Sequence, residues 1–368
     1  MEDSKLLKEI APQFAFEGEP ETCVPFGSGH INDTYRVACR TDEGEKYYVL
    51  QRMNHSVFQN PEALMENISS VTAWLQREII ANGGDEKREA LTLVPTKEGN
   101  PFYVDQEGEY WRVFLLIENA SCYDTVEKAE DFYQSAVAFG RFQRMLADYP
   151  AATLHEIIPN FHNTVDRLRR FEAALDADPC GRAADVEKEV QFVLERRELA
   201  HYLCDRQADG RLPLRVTHND TKLNNVMIDD ETGKAICVVD LDTVMPGLSA
   251  NDFGDSIRFG ANTAAEDERD LSLVSCSMEL YEQYVKGYIE GCADALTPEE
   301  LDALPMGALL MTYECGMRFL TDYLEGDHYF KIHREGHNLD RARSQFALLA
   351  DMEKKLPQMR EIVEKYRG

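Results

Sequence analysis

One stretch of the chain, VTHNDTKLNNVMIDDETGKAICVVDLDTVMPG, combines polar residue types at spacings that can do chemistry. Within it His218, Asp220 and Asn225 fit the pattern H-x-D-x-x-x-x-N, and Lys222 follows the aspartate by two residues. This is the spacing of a kinase catalytic loop. Phosphoryl transfer needs a carboxylate that orients the attacking hydroxyl and accepts its proton, so Asp220 is the candidate base. Lys222 would offset charge on the transferring group, and His218 is expected to hold the loop in place.

Two oxygen ligands for a magnesium ion are predicted around a short hairpin. Magnesium prefers oxygen ligands, and Asn225 offers an amide oxygen. Asp240 offers a carboxylate 15 residues later, at the end of the apolar run AICVV. The segment between them has the pattern of two strands around a polar turn that ends in Gly233, so its ends should meet. Asp242 is a further candidate contact, on the same face as Asp240 if the strand continues.

A second triplet, Asp252-Phe253-Gly254, spells the DFG of protein kinases. No hairpin leads into this triplet, and the pattern of DSIRFGANTAAEDERD after it is typical of a helix. We therefore expect Asp252 to cap that helix or to brace the catalytic loop. The metal role stays with Asp240.

Residues that could contact a nucleotide precede the catalytic segment. In FGSGHINDTYRV, Gly27 and Gly29 stand between two extended runs, where backbone amides can lie over phosphates. His30, Asn32 and Asp33 follow as polar groups for the cleft, and His30 and Asp33 are predicted substrate contacts. Where the strand YWRVFLLIE ends near Glu118, backbone groups at a hinge would recognise adenine.

The residue at the position of the phosphate-pairing lysine of kinases is unusual in this chain. Where a kinase has V-A-I-K, this chain has VLQR. Val49 and Gln51 share one face of the predicted strand, so either Gln51 contacts the nucleotide or Arg52 replaces the lysine through a strand irregularity. The helix partner would be Glu62 or Glu66, which the sequence does not separate.

The elements that must position these residues fall into two regions. Up to about residue 118 the patterns are those of strands, with one helix in NPEALMENISSVTAWLQREII. That helix is opened by Asn60 and Pro61, and its apolar stripe is Leu64, Ile68, Val71, Leu75 and Ile79. From about residue 130 helices predominate, interrupted by the hairpin. We predict an α+β, two-lobed fold with a small β-rich lobe at 1–118, a larger helical lobe at 119–368, and a ligand cleft between them.

The amino-acid composition limits the classes of partner that the protein can bind. The 368 residues include 39 Lys and Arg against 67 Asp and Glu, a formal net charge of −28. This field repels phosphate backbones and anionic membrane surfaces, so no nucleic-acid or membrane partner is expected. The nine cysteines lie too far apart for a zinc knuckle or a redox pair. The N-terminal segment also lacks an apolar signal region, so we expect a cytoplasmic protein. No obligate protein partner is evident from the sequence.

These motifs together resemble a known group of enzymes. The catalytic segment is similar to the aminoglycoside phosphotransferase and choline kinase superfamily. With GHIND, VLQRMN, DFGDSIRFG and ECGMRFLTDYLEGD, the chain resembles the bacterial N-acetylhexosamine 1-kinases over nearly its whole length. The resemblance implies a kinase-like two-lobed fold, ATP and Mg²⁺, and phosphorylation of the 1-hydroxyl of N-acetylglucosamine (GlcNAc) or N-acetylgalactosamine (GalNAc).

The resemblance also assigns roles to single residues. It makes Asp220 the base and makes Asn225 and Asp240 the magnesium ligands. It gives Arg318 and Tyr329, with His30, as sugar contacts. A glutamine at position 51 is similar to this sugar-kinase group, so Gln51 does not argue for an inactive enzyme.

Other interpretations stay open from the sequence. A kinase of this fold could act on another sugar, an aminoglycoside, choline or homoserine, although Arg318 beside the acceptor argues against the cations. A non-catalytic nucleotide or sugar sensor would have no need for Asp220, Asn225 and Asp240 together. Protein kinase activity is disfavoured because no A-P-E segment follows Asp240. The sequence does not separate GlcNAc from GalNAc.

Overall fold

A computed structural model describes residues 5–27 and 31–367. The chain divides into two compact units. Unit 1 contains Met1–Ser121, Thr153–Ile158 and Met227–Val244, and unit 2 contains Cys122–Ala152, Pro159–Val226 and Met245–Gly368. The division predicted after residue 118 stays a prediction. None of the helices in the described ranges has the length and apolarity that a membrane span requires.

Unit 1 is built on an antiparallel sheet of order β1-β2-β3-β5-β4. Its strands are β1 (Glu19–Pro25), β2 (Asp33–Thr41), β3 (Gly44–Met53), β4 (Tyr103–Val104) and β5 (Tyr110–Leu115). Between Tyr48 and Arg52, β3 keeps an unbroken register with both β2 and β5. One face of the sheet packs on the N-terminal turns Leu6–Ile10 and Ala11–Gln13. This core contains Leu6, Ile10, Phe14, Val37, Leu50, Trp111 and Val113.

The first long helix, α1 (Pro61–Ala81), begins where its sequence signals place it. The Asn60 side chain accepts a hydrogen bond from the Ala63 N–H at 3.1 Å, and Pro61 occupies the first turn. The whole predicted apolar stripe is buried. A single turn, α2 (Glu86–Glu89), follows it.

Five short strands form two smaller sheets: β6 (Ala120–Ser121), β7 (Arg215–Thr217), β8 (Val226–Asp229), β9 (Ala235–Val238) and β10 (Met245–Gly247). One sheet has the order β6-β8-β9, and the other pairs β10 with β7. The hairpin of β8 and β9 confirms the one predicted from the sequence. Its turn contains Gly233 at a φ of 66°, a backbone conformation that favours glycine.

Unit 2 is helical. Its helices are α3 (Ala129–Met145), α4 (Thr164–Ala177), α5 (Glu187–Glu195), α6 (Arg197–Ala208), α7 (Ser249–Gly260), α8 (Met278–Cys292), α9 (Pro298–Glu325) and α10 (His337–Tyr366). Glycines allow the closest helix crossings. A Cβ on Gly254 of α7 would lie 2.2 Å from the Gly307 carbonyl oxygen of α9, and one on Gly140 of α3 would lie 2.4 Å from the Tyr288 carbonyl oxygen of α8.

The helix predicted after the DFG triplet differs from the one found. Helix α7 already begins at Ser249, so it contains Asp252-Phe253-Gly254, and it ends at Gly260. Residues 261–270 form no helix. Asp252 therefore does not cap this helix. Phe253 lies in the core, with its ring edge-on to those of Tyr281, Tyr284 and Tyr288.

Candidate active site

The predicted catalytic loop lies in unit 2, between β7 and a single 3₁₀ turn at Leu223–Asn225. The structure brings Asp220, Lys222 and Asn225 together there. Lys222 Nζ lies 2.9 Å from Asp220 Oδ1. Asn225 Nδ2 donates to the Asp220 carbonyl oxygen at 2.8 Å and to Asp220 Oδ2 at 3.1 Å. The Asp220 side chain is 32% exposed, so a substrate hydroxyl can reach this carboxylate.

Asp252 of α7 holds the catalytic loop in place through hydrogen bonds. Its carboxylate accepts the backbone N–H groups of His218 and Asn219, each at 2.8 Å. Its carbonyl oxygen accepts the Thr221 hydroxyl at 2.6 Å. Burial raises the pKa of Asp252, while His218 and the two amides oppose that rise. Asn219 has a φ of 65°, a left-handed conformation that asparagine tolerates better than most residues.

His218 packs inside unit 2 rather than toward solvent. Its ring is fully buried and lies edge-on to the rings of Phe139, at 5.5 Å, and Phe142, at 6.1 Å. Its Nδ1 accepts the Asp220 N–H at 3.3 Å. This geometry suits a residue that holds the loop.

Two charged residues of α7, Asp255 and Arg258, were not predicted from the sequence. Asp255 favours the charged form of Lys222, and Arg258 opposes it. Asp255 and Arg258, one helical turn apart on α7, form a buried ion pair of 2.9 Å. Burial opposes a charged Lys222, but the carboxylates of Asp220 and Asp255 outweigh it and raise the pKa of Lys222. Burial also opposes a charged Asp255, yet Arg258 and Lys222 lower its pKa. Lys222 is therefore held as a cation beside Asp220.

The predicted magnesium ligands lie on different units. Asn225 belongs to unit 2, and its amide nitrogen faces Asp220, which leaves its oxygen for a cation. Asp240 belongs to unit 1, where it is exposed two residues after the end of β9 at a φ of 57°. Among the described residues no three His, Cys, Asp or Glu side chains cluster to hold a metal. A magnesium ion on one or two protein oxygens and the phosphates of a nucleotide needs no such cluster, so this donor chemistry fits it.

In unit 1 the positive charge near Gln51 comes from Arg112. These residues are register partners on β3 and β5, and Arg112 Nε donates to Gln51 Oε1 at 3.0 Å. The Arg112 guanidinium binds Asp242 through two hydrogen bonds. Arg52 pairs instead with Asp33, its Nε lying 2.8 Å from Asp33 Oδ2. Because the register of β3 is unbroken here, the alternative in which an irregularity turns Arg52 toward the nucleotide was wrong.

Neither of the two glutamates predicted from the sequence supplies the partner of Arg112. Glu62 and Glu66 are both exposed, and Glu66 Oε2 lies 2.6 Å from His155 Nε2. The α1 residue next to the guanidinium is Met65, whose sulfur lies 3.9 Å from an Arg112 nitrogen. The carboxylate comes from the segment after the hairpin.

The remaining predicted nucleotide contacts are only partly placed. Gly27 has a φ of 79° and open space around the position of a Cβ, whereas Gly29 and His30 lie outside the described residues. Val49 is half-buried on β3. The Glu118 carbonyl oxygen accepts a hydrogen bond from Arg88 at 2.7 Å, so α2 is tied to the predicted hinge.

A cavity of about 380 Å³ in unit 2 contains Arg318 and Tyr329. It lies between α4 and α9 and is lined by Arg167, Arg169, Arg170, Ala173, Ala174, Ala177, Pro179, Arg318, Thr321, Asp322, Glu325, Tyr329 and Phe330. The Arg318 guanidinium lies 5.4 to 5.8 Å from the rings of Phe161, Phe330 and Tyr329. It also donates to the Tyr329 hydroxyl at 3.5 Å. Within the described part of the chain, Arg318 makes no ion pair.

Buried charges adjoin this cavity. Arg167 donates to the Phe161 carbonyl oxygen at 2.8 Å, and burial together with the nearby Arg318 lowers the pKa of Arg167. Glu314, fully buried on α9, lies 2.9 Å from His162 Nδ1. Burial opposes its charge, but His162, Arg318 and Arg167 lower the pKa of Glu314. The one sequence signal for this cluster was Glu314 standing four residues before Arg318 on a helix.

A model of the Phosphotransferase enzyme family (APH) matches residues 22–304. The chain belongs to this family. The match includes the catalytic loop, the hairpin and α7, so the segments with the predicted chemistry are those of a phosphotransferase.

Solved structures share the fold at low sequence identity. An aminoglycoside phosphotransferase from Alicyclobacillus acidocaldarius has a TM-score of 0.62 at 13% identity, covering 96% of this chain and 95% of its own. A spectinomycin phosphotransferase, solved with ADP and spectinomycin, has a TM-score of 0.56 at 10% identity, and the match covers 97% of this chain and 99% of its own. A choline kinase from Cryptosporidium parvum has a TM-score of 0.56 at 12% identity, and the match covers 95% of this chain and 92% of its own. These likenesses confirm the predicted kinase-like fold, with a β-rich N-terminal region and a helical C-terminal region.

Proposed function

We propose that this phosphotransferase moves the γ-phosphate of ATP to the anomeric hydroxyl of GlcNAc or GalNAc. The observation that carries the proposal is the lining of the cavity that contains Arg318 and Tyr329. An arginine without an ion pair in the described residues, surrounded by aromatic rings, suits a ligand with carbonyl and hydroxyl oxygens and an apolar ring face.

The charge of this cavity favours a neutral acceptor over a cationic one. Its lining contains four arginines against two acids. One of those acids, Asp322, already accepts the backbone N–H groups of His328, Tyr329 and Phe330. Choline or an aminoglycoside would bring a positive charge to Arg318 and Arg167, and of the lining carboxylates only Glu325 would be left to receive it. Another neutral sugar is the nearest alternative.

The catalytic loop can perform the transfer. As the anomeric oxygen forms a bond to the γ-phosphorus, the bond from that phosphorus to the β,γ-bridging oxygen breaks and ADP leaves. Asp220 would orient the attacking hydroxyl and accept its proton, and Lys222, 2.9 Å from Asp220, would offset negative charge on the phosphoryl oxygens. Asn225 and Asp240 would hold a magnesium ion, which supplies charge neutralisation on the phosphates when bound. The spectinomycin phosphotransferase with bound ADP supports ATP as co-substrate.

An ADP-release assay with ATP and Mg²⁺ tests this proposal. The acceptor panel contains GlcNAc, GalNAc, glucose, galactose, choline, homoserine and an aminoglycoside. We expect the two N-acetylhexosamines to give the highest kcat/KM. If choline, homoserine or an aminoglycoside is preferred, the proposed acceptor class is wrong. If no acceptor gives ADP above the rate without acceptor, the kinase activity itself is wrong.

A further inference from the structure

We propose that Arg112 and Asp242 position Asp240 for nucleotide-bound magnesium, as a lysine on the third strand and a helix glutamate organise the nucleotide site of a kinase. All three residues belong to unit 1. The inference deepens the proposed function, since it rests on Asp240 as a metal ligand. It does not depend on which acceptor is phosphorylated.

The pair has the geometry of a fixed structural contact. Arg112 and Asp242 meet through two parallel hydrogen bonds of 2.5 and 2.9 Å, and their side chains are 2% and 6% exposed. A planar guanidinium that binds both oxygens of a carboxylate fixes orientation as well as distance. The residues are 130 positions apart, so the pair joins β5 to the segment after the hairpin.

Both oxygens of Asp242 are occupied. Oδ1 accepts from Arg112, and Oδ2 accepts from Arg112 and from Asn32 Nδ2 at 2.6 Å. Asn32 in turn accepts the Asn54 N–H at 2.9 Å, which ties Asn32 to the residue that follows β3. Asp242 is therefore an anchor for its segment rather than a second magnesium ligand.

This anchor lies two residues from a backbone that needs support. Asp240 has φ and ψ of 57° and 62°, a left-handed conformation that costs energy even for aspartate and that surrounding contacts stabilise. Asp242 lies in the following 3₁₀ turn, Leu241–Thr243, and Asn67 of α1 donates to the Val244 carbonyl oxygen at 3.0 Å. The turn is thus held in place by the contacts of Asp242 and Val244, and this sets the direction of the Asp240 carboxylate.

The same network explains why a glutamine can stand at the lysine position. Gln51 accepts from Arg112 Nε and donates to the Thr34 hydroxyl at 3.1 Å. Gln51 therefore links Arg112 to β2, and the positive charge of this face is supplied by the neighbouring strand. A lysine at 51 would bring a second cation against the guanidinium.

Metal-dependent nucleotide binding by the full chain tests the inference. Replacing a buried ion pair by apolar residues of similar volume often leaves a protein folded, so the test variant is the double substitution Arg112→Met with Asp242→Leu. Calorimetric titration with ADP is run with and without Mg²⁺. We expect the affinity for ADP with Mg²⁺ to fall about tenfold or more, because an unanchored Asp240 carboxylate loses the orientation of a metal ligand. The affinity without Mg²⁺ should stay near that of the wild type.

The matched control is Arg215→Met with Glu300→Leu, which removes another buried ion pair, in unit 2. It should change thermal stability without changing ADP affinity. If the folded Arg112/Asp242 double variant binds ADP and Mg²⁺ like the wild type, the positioning role is overturned. Should that variant not fold, Arg112→Lys keeps the charge balance, and wild-type metal-dependent binding in it would equally overturn the inference.

Asp240→Asn in the same titration separates the two proposals. If Asp240→Asn weakens binding with Mg²⁺ and the Arg112/Asp242 double variant does not, only the positioning inference fails. If Asp240→Asn has no effect, the proposed metal ligand fails as well.

Discussion

At the residue scale, the chemistry depends on the surroundings of one carboxylate. Asp220 is flanked by Lys222 and Asn225 and stays partly exposed. The proximity of Asp220, Lys222 and Asn225 was predictable from the sequence because at most five peptide bonds separate them. The pair of Arg112 and Asp242 was not, since Arg112 stands inside the ordinary strand pattern YWRVFL and its partner lies in another part of the chain.

Replacing Asp220 by asparagine should remove the proton acceptor and keep the shape of the loop. We expect kcat to fall by roughly 10²- to 10⁴-fold, with the dissociation constant for ADP within about threefold of the wild type. Steady-state kinetics and calorimetry measure the two effects. Asp230→Asn, an exposed carboxylate in the hairpin turn, is the control and should be fully active. Near-normal turnover in Asp220→Asn would contradict the assigned base.

Replacing Arg318 by methionine should weaken binding of the acceptor and leave binding of the nucleotide unchanged. A charge-assisted hydrogen bond to a ligand oxygen is worth about 1.5 to 3 kcal/mol, so kcat/KM for the acceptor should fall roughly 10- to 100-fold while KM for ATP holds. Arg343→Met, which breaks an ion pair with Glu189, is the control. An unchanged kcat/KM for the acceptor would remove Arg318 from the acceptor site.

At the element scale, helix α7 connects the catalytic loop to the helical core. Its Asp252 holds the loop, while Phe253 and Gly254 pack inside unit 2. The boundaries of α1 and of the hairpin followed from caps, turns and apolar periodicity. Those of α7 did not, because every residue from Ser249 to Arg258 is buried, so its polar residues do not mark a solvent-facing side.

Asp252→Asn tests the brace. Both carboxylate oxygens of Asp252 accept backbone N–H groups, and an amide can accept at only one of the two positions. We expect the free energy of unfolding to fall by about 1 to 3 kcal/mol, and kcat to fall about tenfold because the loop loses its fixed position. Denaturant titration and kinetics of the same preparation measure both. Wild-type kcat together with a lowered stability would show that the contact serves stability alone.

At the scale of the whole molecule, the net charge of −28 opposes an anionic nucleotide. Local cations such as Lys222 act at short range, whereas the overall field acts at distances that salt screens. We expect the association rate constant of a fluorescent ADP analogue, at constant free Mg²⁺, to rise about two- to fivefold between about 20 mM and about 0.3 M salt. KM for a neutral acceptor should not change. A rate that falls with salt would show that local cations control the encounter.

The proposed reaction transfers phosphate to the anomeric oxygen of an N-acetylhexosamine. Phosphorus NMR of the product from ATP, Mg²⁺ and GlcNAc or GalNAc tests it most directly, because the phosphorus couples to the proton on the carbon that bears the ester. We expect a monoester signal split by the single anomeric proton. A signal split by two protons, as for a 6-phosphate, or the absence of any sugar phosphate, would contradict it.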